Sequence, residues 1–537
     1  MMKRVITLTL SAVLIYALLI LPHHPDAMSW DAFNRFPLEL PVILLALIAI
    51  GRVWGVAIAI TGALLVTVVL KIADFGMFMA YDRAFNPILD FFLIDAGLNL
   101  LRDSIGTAGT IFAVIGALVV LAVLFFLLYR AIRLWAAVSA PVPYRIGAAT
   151  GACAFALLLI ADAGHALKYW SFDESPPGTS WTSRLAFSRV LETQATAADL
   201  VAFRALAMED DYAGGRQLFD QIGARDVLII YIESYGRTSF ENPLYAPTHL
   251  ATLERAETSL SAAGFGMRSG WLTSPTSGGQ SWLAHGTLSS GLWTSDQGRY
   301  KAMLASGRKS LFHLAQEAGF RTNAVMPAIT LAWPESGLMG FDQVFPAADI
   351  PYQGAPFNWV TMPDQFTLAA YPALLGADTR PQFTQIALIS SHAPWVPIPP
   401  VIAWGDVGNG EVFLQWATTG PTPREVWKDH DRVREQYRKA VDYALQVTFE
   451  HVAQLGPDAP LVFVIGDHQP AGFVAQVDSK DVAVHLIAPP DLVARTAHWD
   501  WTPGLIPDAQ TPVWRMDAFR NRFIDAFTSD KLAAKGF

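Results

Sequence analysis

The chain has 537 residues, 52% hydrophobic and only 16% charged, with 38 Lys and Arg against 47 Asp and Glu. That length exceeds one compact core and implies at least two structural units. The composition excludes intrinsic disorder, a disulfide scaffold and a basic nucleic-acid-binding protein, and the single cysteine, Cys153, offers neither a disulfide nor a thiolate metal cage.

The charge is divided unevenly. Residues 1–168 hold 11 basic and 9 acidic residues, whereas the rest of the chain holds 27 and 38. Five apolar stretches lie in that front third, at 5–21, 38–50, 53–70, 108–128 and 146–167. A bilayer core takes roughly 20 apolar residues per helix, so the fourth is long enough and the second is short. Gly51 and Arg52 alone separate the second from the third, which fits a tight helical hairpin. The first stretch follows Lys3 and Arg4 and could be a signal peptide. It lacks a small-x-small cleavage site before His23-His24-Pro25, so it reads as an uncleaved anchor.

With the N-terminus inside, the inner segments carry Lys3, Arg4, Arg52, Arg130, Arg133 and Arg145 and no acid. The outer segments carry Arg35, Lys71, Arg83 and Arg102 among eight acidic residues. The positive-inside rule then places everything after about residue 168 outside the cytoplasm, in a multi-pass protein of the cell membrane. Stretch 77–105, with Asp82, Arg83, Asp90, Asp95, Arg102 and Asp103 among apolar residues, reads as an interfacial segment or a plain loop. Within the apolar helices Asp162 and His165 form the one ionisable pair. A transporter would show more buried charge at midplane, so the membrane part reads as an anchor. Trp170 and Trp181 near the exit of the fifth helix fit an interfacial belt.

Residues 169–222 form a polar juxtamembrane linker ending in a helix near 195–207. From 223 to 498 strand and helix signals alternate. Short apolar runs at Val227–Ile232, 322–326, 385–390, 461–465 and 482–488 read as buried strands. Helical periodicity appears at 248–262, 310–318 and 432–455. This alternation predicts a three-layer α/β sandwich with a mostly parallel sheet, with residues 499–537 packing on it. Ligands in such sheets bind beyond the carboxyl ends of the strands.

At those ends stand Glu233-Ser234-Tyr235-Gly236-Arg237, Ser391-His392-Ala393-Pro394-Trp395 and Gly466-Asp467-His468. Between the first and second, Ser274-Pro275-Thr276-Ser277-Gly278-Gly279-Gln280 leads into a helix opening on Ser281-Trp282-Leu283-Ala284-His285. Singly, each has an ordinary reading as a cap or a turn. Together they set two carboxylates, a hydroxyl and an imidazole on one sheet edge, a donor set suited to Mn²⁺, Mg²⁺ or Zn²⁺. Gly278 and Gly279 let backbone amides approach an anionic oxygen, and the helix N-terminus adds positive potential.

Ser281 opening a helix, with Ser290-Gly291 closing the ten-residue stretch, resembles the nucleophile helix of the alkaline phosphatase superfamily. The Glu-Ser at the first strand end and the later Gly-Asp-His resemble the metal ligands of its sulfatase-like branch. Membrane helices followed by an external domain are similar to the lipoteichoic acid synthase and phosphoglycerol transferase group. The resemblance implies Glu233, Ser281, Asp467 and His468 as ligands of one divalent ion, Mn²⁺ first, with Ser281 also the nucleophile. It implies His392 as a substrate contact or leaving-group acid, and Trp333 as a pocket aromatic. The Asn-Arg pair expected after that Trp is replaced by Pro334-Glu335, which leaves Arg237 and Arg268 as cations to compensate. His285, one turn below Ser281, reads as a structural histidine.

Ser281 is followed by Trp-Leu-Ala-His and not by x-Pro-x-Arg, so conversion to formylglycine is not expected. Asp481 and His485 fall after the Asp-His pair and on an apolar run, so a second metal is not expected either. The expected activity is transfer of a phospholipid headgroup, phosphoglycerol from phosphatidylglycerol, to a glycan or lipid acceptor through a phospho-serine intermediate. The alternatives are a phosphoethanolamine donor, a phosphodiesterase or sulfatase-like hydrolase with the same site, and a catalytically silent membrane scaffold.

Overall fold

The computed structural model describes residues 2–28, 36–81, 83–91, 93–172, 174, 177–212, 218–331, 333–358, 360–456 and 459–529, the side chains of Leu100 and Asp103 excepted. Arg35, Asp82 and the end of the C-terminal segment, 530–537, lie outside them. The chain divides into a unit ending at Asp199 and one running from Leu200, with residues 80–82 grouped with the latter.

Apolar composition makes the first unit helical. Met2–Leu19, Trp54–Tyr81, Ser104–Ala136 and Val142–Ala166 are long and apolar enough to cross a membrane. The fifth apolar helix, Glu39–Ile50, has 12 residues, about 18 Å at the α-helical rise, which is short of a bilayer core. It packs along Val142–Ala166. Ile15, Leu19, Leu47, Leu64, Leu128 and Ile132 form the core of this bundle.

The third apolar helix extends well past residue 70, and this corrects the expected distribution of charge. Lys71 and Asp74 lie on it, both fully buried. Lys71 Nζ donates to the Leu19 carbonyl at 2.7 Å and to Thr182 Oγ1 at 3.0 Å, while Asp74 pairs with Arg189 at 2.7 Å. Asp162 and His165 are therefore not the sole ionisable groups on these helices. Lys71 caps the carboxyl end of the first helix, a structural use of a buried cation. Stretch 77–105 is not one amphipathic element. Helix runs to Tyr81, a turn follows in which buried Asp90 binds Arg83 and the Asn86 amide, and helix Leu93–Ala136 begins beyond it, kinked at Gly106.

In the second unit, nine strands among the described residues form one sheet. In chain order they are β1 Val227–Ile232, β2 Gly266–Thr273, β3 Arg321–Met326, β4 Gln343–Pro346, β5 Gln382–Ala387, β6 Leu461–Gly466, β7 Asp481–Ala488, β8 Thr502–Pro503 and β9 Val513–Arg515. Their spatial order is β4-β3-β5-β1-β6-β7-β2-β8, with β9 also on β2. The half from β4 to β6 is parallel; the β6–β7, β7–β2 and β2–β8 pairs are antiparallel. The sheet is thus mixed. The correction falls on β2, whose Gly and Arg break the apolar run expected of a buried strand.

Alternation along β1 shows why there are three layers. Leu228, Ile230 and Ile232 face a core shared with helices Ala246–Ala262 and His430–Ala453. Val227, Ile229 and Tyr231 face one built from helices Ser281–Ser290, Leu311–Glu317 and Ala518–Phe527. Helix Leu311–Glu317 starts on a capping box made by Ser310 and His313.

Candidate active site

Strand register brings the first two acids together. Ile232 of β1 is paired with Gly466 of β6, so Glu233 and Asp467 leave adjacent strands side by side. Gly466 is needed there, because a Cβ at this position would overlap the Tyr235 carbonyl oxygen. Ser234 adopts a left-handed conformation (φ 59°), and its amide donates to Asp467 Oδ1 at 2.9 Å. Tyr437 fixes the turn by donating to the Ser234 carbonyl at 2.9 Å, and Ser391 donates to the Glu233 carbonyl at 2.7 Å.

The hydroxyl arrives from another direction. Ser274 Oγ donates to the Asp467 carbonyl at 2.7 Å and the Gly278 amide donates to the Gln469 carbonyl at 2.8 Å, docking segment 274–278 beside the end of β6. Gly278 (φ 73°), Gly279 (φ 144°) and Gln280 (φ 66°) then turn the chain through left-handed space into helix Ser281–Ser290. Ser281 Oγ ends 3.0 Å from Glu233 Oε2 and 3.3 Å from His468 Nε2. His468 Nε2 lies 3.1 Å from Glu233 Oε1. Its Nδ1 faces the Gln469 carbonyl at 2.8 Å, which holds the proton on that nitrogen and turns Nε2 toward the carboxylates.

Burial decides the electrostatics. It raises the Glu233 carboxyl, but the His468 imidazolium outweighs it and holds the group far below the usual range. Asp467 is pushed up to about 7 by burial and by the charge of Glu233. Burial lowers His468, yet the two acids raise it to about 9. Two buried carboxylates thus share one imidazole, and the raised Asp467 marks surplus negative charge. Ligand atoms of Glu233, Asp467 and His468 all lie within 4.8 Å of one another. Such a hard-oxygen and imidazole set fits a divalent cation.

Of the other residues singled out from the sequence, His392 follows β5 half-buried, with its Nδ1 on the Ala393 carbonyl. Arg237 is engaged elsewhere: it binds Asp481 at 3.0 Å and Glu241 at 2.8 Å and lies over Trp271. Arg268 donates to the Trp501 carbonyl. The Arg237 guanidinium is thereby not left as a free fork for a phosphate, and Arg268 has one Nη committed. Trp333 packs on Phe341 and the apolar cluster around Leu283, two residues along from Ser281. His285 stacks on Tyr231 at 3.9 Å, and burial lowers it to about 3. His485 bonds Ser269 and Tyr235, while Asp481 takes Arg237 and Thr273. Sequence reading missed Tyr437 and Asp364, and it quoted Ser274 and Ser391 without giving either a role. The Asp364 carboxylate receives the Ile389 and Ser390 amides at 2.8 Å and so braces the chain leading to His392.

Residues 278–483 match the Sulfatase family model. The likeness to that family lies in this segment, which is under half of the chain. The matched span begins at the Gly-Gly turn before Ser281 and passes through Asp467-His468. Enzymes of this family are metal-dependent, in keeping with the acid and imidazole group just described. Comparison with curated proteins finds no match. Among solved structures, the chain is similar to the integral membrane lipooligosaccharide phosphoethanolamine transferase A of Neisseria meningitidis (14% identity, TM-score 0.49, covering 98% of this chain and 94% of that one). It is also similar to the lipoteichoic acid synthase LtaP of Listeria monocytogenes (13%, 0.34, 54% and 71%). A third is the Streptococcus pyogenes phosphoglycerol transferase GacH (13%, 0.35, 60% and 79%). Four helices among the described residues are long and apolar enough to cross a membrane, which supports a membrane protein.

Proposed function

We propose that the protein transfers a phospholipid headgroup, phosphoglycerol from phosphatidylglycerol, to a glycan or lipid hydroxyl on the outer membrane face. The observation that carries this reading is the Ser281 hydroxyl, held at the opening of a helix 3.0 Å from one buried carboxylate and 3.3 Å from an imidazole. Glu233, Asp467, His468 and Ser281 hold one divalent ion, with Mn²⁺ the first expectation. When bound, that ion supplies positive charge to the phosphate oxygens and lowers the proton affinity of the Ser281 hydroxyl.

As its alkoxide, Ser281 Oγ attacks phosphorus, the Oγ–P bond forms, and the bond to the glyceride oxygen breaks. His392 gives that oxygen its proton, and diacylglycerol leaves. The acceptor hydroxyl then attacks the phospho-serine, loses its proton to His392 and frees Ser281. Membrane helices in the same chain suit a donor confined to the bilayer, because anchoring removes much of the encounter cost.

Incubation of the full chain with headgroup-labelled phosphatidylglycerol and Mn²⁺ tests this reading. Label is expected on Ser281, and Ser281→Ala is expected to lower turnover by about a thousandfold or more. Turnover retained in Ser281→Ala, or label on another residue, overturns the mechanism. Label transferred only from phosphatidylethanolamine reassigns the donor.

A further inference from the structure

The bundle end that carries the N-terminus gathers cations in a concave site. Lys3 and Arg4 lie in the first turn of helix Met2–Leu19, Arg52 lies between helices Glu39–Ile50 and Trp54–Tyr81, and Arg145 opens helix Val142–Ala166. These four line two adjoining cavities of about 490 and 560 Å³, which share Arg52, Ala137 and Ser139. No Asp or Glu stands among the lining residues. Arg145 donates to the Ala49 carbonyl at 2.8 Å and Arg4 to the Ala137 carbonyl at 3.2 Å. The Lys3 ammonium and the Arg52 guanidinium have no hydrogen bond or ion pair to any described residue.

Orientation of the helices in the membrane accounts for basic residues at this end. It does not account for their meeting around a cavity, where like charges repel unless an anion lies between them. Leu8, Leu134 and Ile48, all half-buried, add apolar surface to the cavity walls. Val53 and Trp54 are exposed beside Arg52, as at a membrane interface. We propose that this end of the bundle binds the phosphate headgroup of an anionic phospholipid, with its acyl chains passing along Leu8, Leu134 and Ile48. A free phosphate would use the cations and leave the apolar walls without a function. The site is built wholly from the first unit and does not depend on the Ser281 chemistry.

Native mass spectrometry of the full chain in mild detergent tests the site with phosphatidylserine, which is not the proposed donor, against phosphatidylcholine of the same chains and inorganic phosphate. Phosphatidylserine is expected to remain bound and phosphatidylcholine to be lost. Lys3→Gln with Arg52→Gln should weaken retention by about fivefold per cation removed, and Arg52→Lys should keep it. Arg130→Gln with Arg133→Gln, at the same end but lining neither cavity, should leave retention unchanged. Equal retention of phosphatidylcholine, no loss in the Lys3/Arg52 variant, or an equal loss in the Arg130/Arg133 variant overturns the proposal. Complete displacement by inorganic phosphate assigns the cavity to a free ion and overturns the lipid. If the Lys3/Arg52 variant is not recovered, the lipid comparison and the phosphate competition on the unaltered protein decide the matter.

Discussion

At the scale of single residues, a site built from buried charges depends on neutral groups that hold the backbone beneath them. Tyr437 is fully buried, and its hydroxyl satisfies the carbonyl of Ser234, the residue held in left-handed space between Glu233 and the Asp467 contact. Tyr437→Phe keeps the ring and removes that bond, leaving a buried carbonyl unpaired at a cost of about 1–3 kcal/mol. A lower denaturation midpoint is expected, together with weaker divalent-ion affinity by isothermal titration; both unchanged would show the turn to be held by Ser391 and Asp467 alone. Nothing in the sequence marked Tyr437, because it lies on a helix and reaches the site only through packing. Glu233, Ser281, Asp467 and His468 were legible because strand ends and helix starts leave local signatures.

At the scale of elements, the decisive feature is the register of β1 against β6. The apolar runs made both strands readable, and β1 has the predicted bounds, but no local pattern states that Ile232 faces Gly466. That pairing requires β6 to come close under Tyr235, which the missing side chain of Gly466 permits. Gly466→Ala is expected to cost more than about 3 kcal/mol, since backbone and not a flexible side chain occupies the space. The readout is yield of folded protein and its melting temperature, with the neighbouring but unobstructed Gly472→Ala as the tolerated comparison. The same scale explains the missed β2: its Arg268 and Gly270 read as polar and flexible. Arg268 is used on the Trp501 carbonyl, and Gly270 gives room to the Trp501 ring.

At the scale of the whole molecule, burial of ionisable groups sets the response to acid. Burial lowers His249 and His451 to about 4 and His485 to about 3, below the ordinary value of 6.5. Between those values the unfolded chain binds more protons than the folded one, so each histidine contributes stability that is present above pH 6.5 and lost as pH falls toward 4. The slope is at most about 1.4 kcal/mol per pH unit for each group. Asp467 and Asp364, raised to about 7 and about 6 with burial the first cause, act in the opposite sense, so a difference between variants isolates the histidines. His249→Gln, which preserves a donor for the Arg438 carbonyl, should lose less stability than the parent chain between pH 7 and pH 5 in urea titrations. An equal loss in both would show that His249 is not neutral in the folded state.

Composition and periodicity alone determined that apolar helices precede an α/β domain and which strand ends carry acids, a hydroxyl and imidazoles, since burial in lipid or in a sheet must be written into the local pattern. Tertiary structure decided the rest. It spent Arg237 and Arg268 on structural partners, placed Lys71 and Asp74 in buried bonds, reversed β7 within the sheet and set Ser281 against Glu233 and His468. Those outcomes turn on which distant groups meet in space, and long-range pairing energies leave no period in the chain.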